Sequence, residues 1–201
     1  MRLLLACVLA MLACAGAARA DGPLQRTITA RDQQRLAGLG EVRAAALAAA
    51  RAGGSKEDVA ALESALAGEA LGFGDGYDMS GEWRCRVMKL GRAVPLVVHG
   101  WFRCVVADDG SGWRLAKTGG SQRLYGRFYT IDDRQLVYLG ALHFASEAPL
   151  PYGRDAQRDQ VALAVRPGRD RVRLEFPSPS FDSMFDILEM RRVGAAAPPR
   201  K

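Results

Sequence analysis

Cys85 and Cys104 stand in two stretches rich in Val, Trp and Phe, with a Gly/Pro-bearing segment, Gly91 to Pro95, between them. The first stretch is Gly81-Glu82-Trp83-Arg84-Cys85-Arg86-Val87-Met88-Lys89-Leu90; the second runs from Val97 to Val106. Two β-prone arms around a turn signal read as a hairpin. Folding the arms together brings the cysteines opposite one another. A bridge there restricts the unfolded chain and contributes about 3 kcal/mol by the loop-entropy model. With the cysteines paired, alternation puts Trp83, Val87, Phe102 and Val106 on their face, and Arg84, Arg86, Arg103, Trp101 and His99 on the other. The first set is the core candidate. The alternative state is a pair of inert buried thiols, or one reactive thiol.

The compartment bears on that choice. Met1-Arg2, an apolar run from Leu3 to Cys14, and Ala18-Arg19-Ala20 make a secretory signal peptide, residues 1–20, cleaved before Asp21. The run is too short to span a bilayer, which needs about 20 apolar residues. The expected location is the periplasm, where disulfides persist. A rival reading takes Met11-Leu12-Ala13-Cys14 as a lipobox, which would anchor the chain through a lipid on Cys14. Membrane contact is expected only in that case. Removing residues 1–20 deletes Cys7 and Cys14 and leaves one pair, as a single structural disulfide requires. It also removes Arg2 and Arg19 and no acid, so net charge falls from +6 to +4. Export and the lack of a concentrated basic stripe argue against a nucleic-acid partner.

Residues 21–72 form a helical N-terminal segment rich in Ala, Leu and charged residues. Thr29-Ala30-Arg31-Asp32 resembles a capping box opening a helix to about Ala52, with breaks expected at Gly38 and Gly40. Ser55 then caps a second helix bearing Val59, Leu62 and Leu66 along one side. The apolar stripe of this helical hairpin is thin, so it must dock on something larger. Asp75 and Asp78 lack EF-hand spacing and read as turn formers.

Residues 73–192 read as an eight-strand antiparallel meander. Asp108-Asp109-Gly110, Gly119-Gly120, Asp132-Asp133 and Pro167-Gly168 mark its turns. A mainly β chain of this kind sheds its exposed edges by closing, so the expected fold is a lipocalin-like barrel, with a two-sheet sandwich as runner-up. A long loop follows Phe144 and ends near Asp159. Residues 193–201, Ala/Pro-rich and basic, read as a disordered tail.

Catalytic signals are scarce, and no catalytic residue, metal ligand or cofactor is assigned. His99 and His143 are the only histidines, neither in a zinc spacing, and there is no G-x-S-x-G elbow. The most unusual feature is basic. In the register that pairs the cysteines Arg86 faces Arg103, with Arg84 two residues along, and like charges opposed in a sheet cost up to about 1 kcal/mol. A carboxylate from Glu82 or the helices, or an anionic ligand, should offset that. Ser121, Gln122 and Arg123 add donors nearby. The ligand-binding candidates are therefore Arg84, Arg86, Arg103, Ser121, Gln122 and Arg123.

The ordered series Trp83-Arg84-Cys85-Arg86, Lys89-Leu90-Gly91, Phe102-Arg103-Cys104 and Gly120-Ser121-Gln122-Arg123 resembles a family of exported bacterial proteins, domain of unknown function 4893. Tyr138-Leu139-Gly140-Ala141, Phe176-Pro177-Ser178-Pro179 and Asp186-Ile187-Leu188-Glu189 continue the likeness. The resemblance implies export and carries no catalytic residue. A small barrel with an early hairpin disulfide is also similar in plan to periplasmic metalloprotease inhibitors, though helices here replace their free N-terminal trunk.

Three functions compete. The first is a non-catalytic binding module for a small anionic or amphipathic ligand or an envelope protein. The second is a hydrolase using Ser121 with His99 or His143. The third is an envelope assembly or inhibitor protein acting through the helical hairpin.

Overall fold

The computed structural model describes residues 22–74 and 76–194. Residues 1–20, read above as a signal peptide with Cys14 among them, Asp75 and the tail beyond Gly194 lie outside the described residues. The strands are β1 (Gly81–Leu90), β2 (Leu96–Val98), β3 (Phe102–Asp108), β4 (Trp113–Lys117), β5 (Gln122–Thr130), β6 (Gln135–Phe144), β7 (Asp159–Gly168), β8 (Arg171–Pro177) and β9 (Phe185–Arg192). From β3 onward each pairs antiparallel with the next, and β9 returns to pair with β1 from Leu90↔Phe185 to Trp83↔Arg192. One unbroken ladder back to the first strand is a closed barrel, not a sandwich. It has eight staves, because β2 and β3 lie end to end along the same edge of β1.

The extra strand records a break in the hairpin's return arm. Val97 faces Lys89 in β2, whereas Phe102 faces Cys85 in β3, and the pairing sum rises by one across His99-Gly100-Trp101. An extra residue reverses which face the side chains take. His99 therefore turns to the barrel mouth, away from the arginine face where regular alternation puts it. A second departure is register. Cys85 pairs with Phe102 and Cys104 with Trp83, so Arg84, not Arg86, lies opposite Arg103. The shift is two residues, which preserves the faces. Cys85 and Cys104 are joined diagonally, their Cα atoms 5.9 Å apart, and both are fully buried.

Inside, Trp83, Val106, Leu115, Phe128 and Leu174 surround the disulfide. Tyr138 fills the centre, its ring 5.4 Å from Phe128 and 6.0 Å from Phe176. Gly126 and Gly140 pair with each other beside it, and a Cβ on Gly126 would come within 2.7 Å of the Tyr138 ring. Glycine at both positions makes room for this ring.

The helices are α1 (Pro23–Thr27), α2 (Ala30–Ala37), α3 (Leu39–Gly53) and α4 (Lys56–Leu66). The break falls at Gly38, and the short α1 has no signal in the apolar pattern. Thr29 and Ser55 both cap as their positions predict, accepting from the Asp32 and Asp58 N–H groups. Ala46, Ala50, Leu62 and Ala65 pack on Met88, Leu90, Phe185 and Ile187, the outer side of β1 and β9. The hairpin's thin stripe is thus spent on the barrel wall. Leu24, Ile28 and Leu36 cover the outward Val137, Leu139 and Val161.

The two barrel ends differ. At one, Phe73, Tyr77 and Trp113 form a plug with centroids 5.8 to 6.5 Å apart, and Arg166 lies 4.0 Å over Tyr77. Backbone bonds Leu71 N–H to Arg166 O (2.8 Å) and Phe73 N–H to Asp133 O (2.6 Å) hold it there. At the other end segments 91–95, 118–121, 145–158 and 178–184 surround an opening. On α2, Arg35 donates to the Pro177 and Asp159 carbonyls while Asp32 accepts from Tyr152, so the helix fixes two of those segments.

Candidate functional site

The opening leads into a cavity of about 470 Å³. Inward positions near the ends of six strands supply its apolar wall: Val87, Phe102, Leu124, Leu142, Phe176 and Leu188. The same inward parity supplies Lys89, Lys117, Gln122, Gln160 and Asp186, and the rim adds His99, Ser121 and Arg123. Ligand sites are commonly of this size and kind, mostly apolar with a few convergent polar groups.

Lys117 ends β4, where Trp113, Leu115 and Lys117 alternate inward. It is only 5% exposed. Its Nζ donates to the Gly119 carbonyl (2.7 Å) and the Gln122 carbonyl (2.6 Å) and lies 4.4 Å from the Phe102 ring centroid. Among the described residues no carboxylate forms an ion pair with it. Burial, and then the charge of Arg123, push its pKa down to about 8. An ammonium has three N–H donors, so one remains for a ligand. Lys89 differs, bound to Asp182 at 3.0 Å.

Asp186 faces inward from the start of β9. Burial raises its pKa to about 6, opposed by the Ser183 hydroxyl that donates to it and by the charge of Lys89. His99 is held below its ordinary value, first by partial withdrawal from water and then by Lys89 and Lys117. The cationic groups at the mouth thus outnumber carboxylates, and one of those carboxylates is readily neutralised.

The six candidates from the sequence divide between two places. Ser121, Gln122 and Arg123 line the cavity. Arg84, Arg86 and Arg103 lie on the outer wall, where Trp101 is stacked by Arg84 (5.2 Å), Arg86 (4.7 Å) and Arg191 (5.3 Å). Glu189, almost fully buried, accepts from Arg86 (2.7 Å) and Arg191 (2.8 Å), and Glu82 pairs with Arg103. Each arginine that faces Arg84 across a ladder, Arg103 and Arg191, thus has a carboxylate partner of its own. Lys89, Lys117 and Asp186 were missed by sequence reasoning. Their signal was there, since each continues the inward alternation of its strand to the mouth, but inward parity needs a known register.

Among the described residues Ser121 and His99 share the rim with no hydrogen bond between them, and His143 stands on the outward-facing row of β6, paired across the ladder with Arg123. Among the described residues no group of three or more His, Cys, Asp or Glu could hold a metal ion.

A family model described as "Domain of unknown function (DUF4893)" matches residues 24–190. The chain belongs to the DUF4893 family. Neither a curated protein nor a solved structure matches it. The matched span of this DUF4893 domain takes in the covering helices, the whole barrel to Met190, and every cavity residue named above.

Proposed function

We propose that this DUF4893 protein is an exported, non-catalytic carrier of a small amphiphile with an anionic head group. The observation that carries the reading is Lys117, a buried ammonium with no carboxylate partner among the described residues, set in a mostly apolar cavity at the open end of a barrel. A carboxylate or sulfonate head takes its free N–H, with Arg123 nearby, while the tail lies on Phe102, Leu124, Phe176 and Leu188. The leader-like residues 1–20 and the disulfide support export to the periplasm.

Dodecanoate and the fluorescent probe anilinonaphthalene sulfonate test this directly by titration. Both should bind, and Lys117→Met should weaken each by roughly tenfold or more, since a hydrogen bond to a charged group is worth about 1.5–3 kcal/mol. Dodecanol, with the tail alone, should respond little to the substitution. Equal affinity of wild type for acid and alcohol would remove the anionic-head reading.

A further inference from the structure

Among the described residues the large exposed apolar side chains are Leu71, Val94, Ile131, Phe144, Phe181 and Val193. Val94, Phe144 and Phe181 come from separate segments and surround the cavity mouth. Val94 and Phe181 line the cavity itself. Phe144 and Phe181 line an adjoining depression of about 450 Å³, which shares Gln122, Leu142, Phe181 and Asp182 with the cavity. The apolar collar is therefore continuous with the binding site.

Charge separates this end from the other. The mouth segments present the exposed Arg92 and Arg154, and the Arg158 guanidinium lies 5.4 Å over the Phe144 ring. The nearby acids Glu147 and Asp155 are already paired with Arg158, and Asp182 with Lys89. At the plugged end, Ile131 stands beside Asp132 and Asp133, and the β3–β4 turn carries Asp108 beside Asp109, whose carboxylate pairs with Arg114 and Arg127. Aromatic side chains flanked by arginine suit a lipid headgroup region, and acidic turns do not.

We propose that this apolar, cationic collar seats on an anionic lipid bilayer, so that the cavity exchanges its amphiphile at the membrane surface. The exchange rests on the carrier reading above; the docking does not.

Sedimentation with vesicles tests it, using the protein in its natural processed form. Vesicles of phosphatidylcholine with phosphatidylglycerol should bind it more tightly than phosphatidylcholine alone. The double variant Phe144→Ser, Arg154→Glu should lose about tenfold or more in affinity for the anionic vesicles, through lost apolar burial and reversed charge. Its solution binding of anilinonaphthalene sulfonate should persist, because neither residue lines the main cavity. A Phe144→Trp variant should gain blue-shifted emission with anionic vesicles in the difference spectrum against wild type. Undiminished vesicle binding by the double variant, or a difference spectrum of the Phe144→Trp variant that vesicles leave unchanged, overturns the docking. Failure of wild type to bind the probe in solution, with vesicle binding that still depends on Phe144 and Arg154, sinks the carrier reading and leaves the docking standing.

Discussion

Lys117 shows how one side chain acquires a role from where its strand ends. Two residues earlier on the same inward row stands Leu115, packed in the core with Trp83 and Phe128 and no place for an ammonium. At the mouth, the Gly119 and Gln122 carbonyls orient Lys117, which stays charged below a pKa of about 8. Its depressed value fixes the sign of a pH effect. For a ligand that stays anionic throughout, affinity should be steady near neutrality and fall as pH rises above about 8, by up to tenfold per unit, as Lys117 loses its proton. Asp186, neutral below about 6, adds a smaller loss of affinity as it ionises on the way up. Fluorescence titration of anilinonaphthalene sulfonate across both transitions checks them, and Lys117→Met should abolish the alkaline limb alone. In the sequence Lys117 continues the alternation of Trp113 and Leu115, and nothing there says which face is inward. Composition marks Lys117 as one of many cations, and only register makes it an interior one.

At the scale of elements, the first hairpin was largely readable and its details were not. Val, Trp and Phe in both arms, with glycine and proline between, specify a hairpin, and the cysteines bond as their positions suggested. Symmetry about the turn suggested pairing Cys85 directly with Cys104. The ladder instead offsets them by two: the Gly91–Pro95 turn, which pairs Lys89 with Val97, sets an offset of three, and the extra residue at His99-Gly100-Trp101 takes one back. Even-numbered slips keep every face, so the core list survived while the arginine pairing changed. Helix capping was legible because it is local: Thr29 and Ser55 need only their own next turn. Replacing both cysteines by alanine should cost about 3 kcal/mol, with denaturant melts reporting the loss. The fully buried bridge sits among Trp83, Val106 and Leu115, so the reduced barrel should also protect its β1 and β3 amides less from hydrogen exchange.

Across the whole molecule, alternation and turn spacing specified a meander, and a meander of this length closes. What they left open was the assignment of ends, because a strand pattern has no top or bottom. That assignment came from segments outside the strands: Phe73 and Tyr77 fill one end, while Tyr152 and Pro177, tied to α2, hold the other apart. The candidate site is thus a property of loops and helix docking together. Arg84, Arg86 and Arg103 lie apart from it, on an outer wall where Glu189 pairs with Arg86 and Glu82 with Arg103.

The aromatic plug has a kinetic corollary. A vessel stoppered at one end has a single doorway, so a newcomer cannot enter behind the resident and push it through. Release must precede uptake. In a stopped-flow chase of bound anilinonaphthalene sulfonate by excess dodecanoate, the displacement rate should reach a ceiling and stay there however much competitor is added. A rate that kept climbing with competitor would mean a second passage through Phe73, Tyr77 and Trp113. On the carrier reading, turnover is then governed by how long each guest stays, and by what waits at the one door.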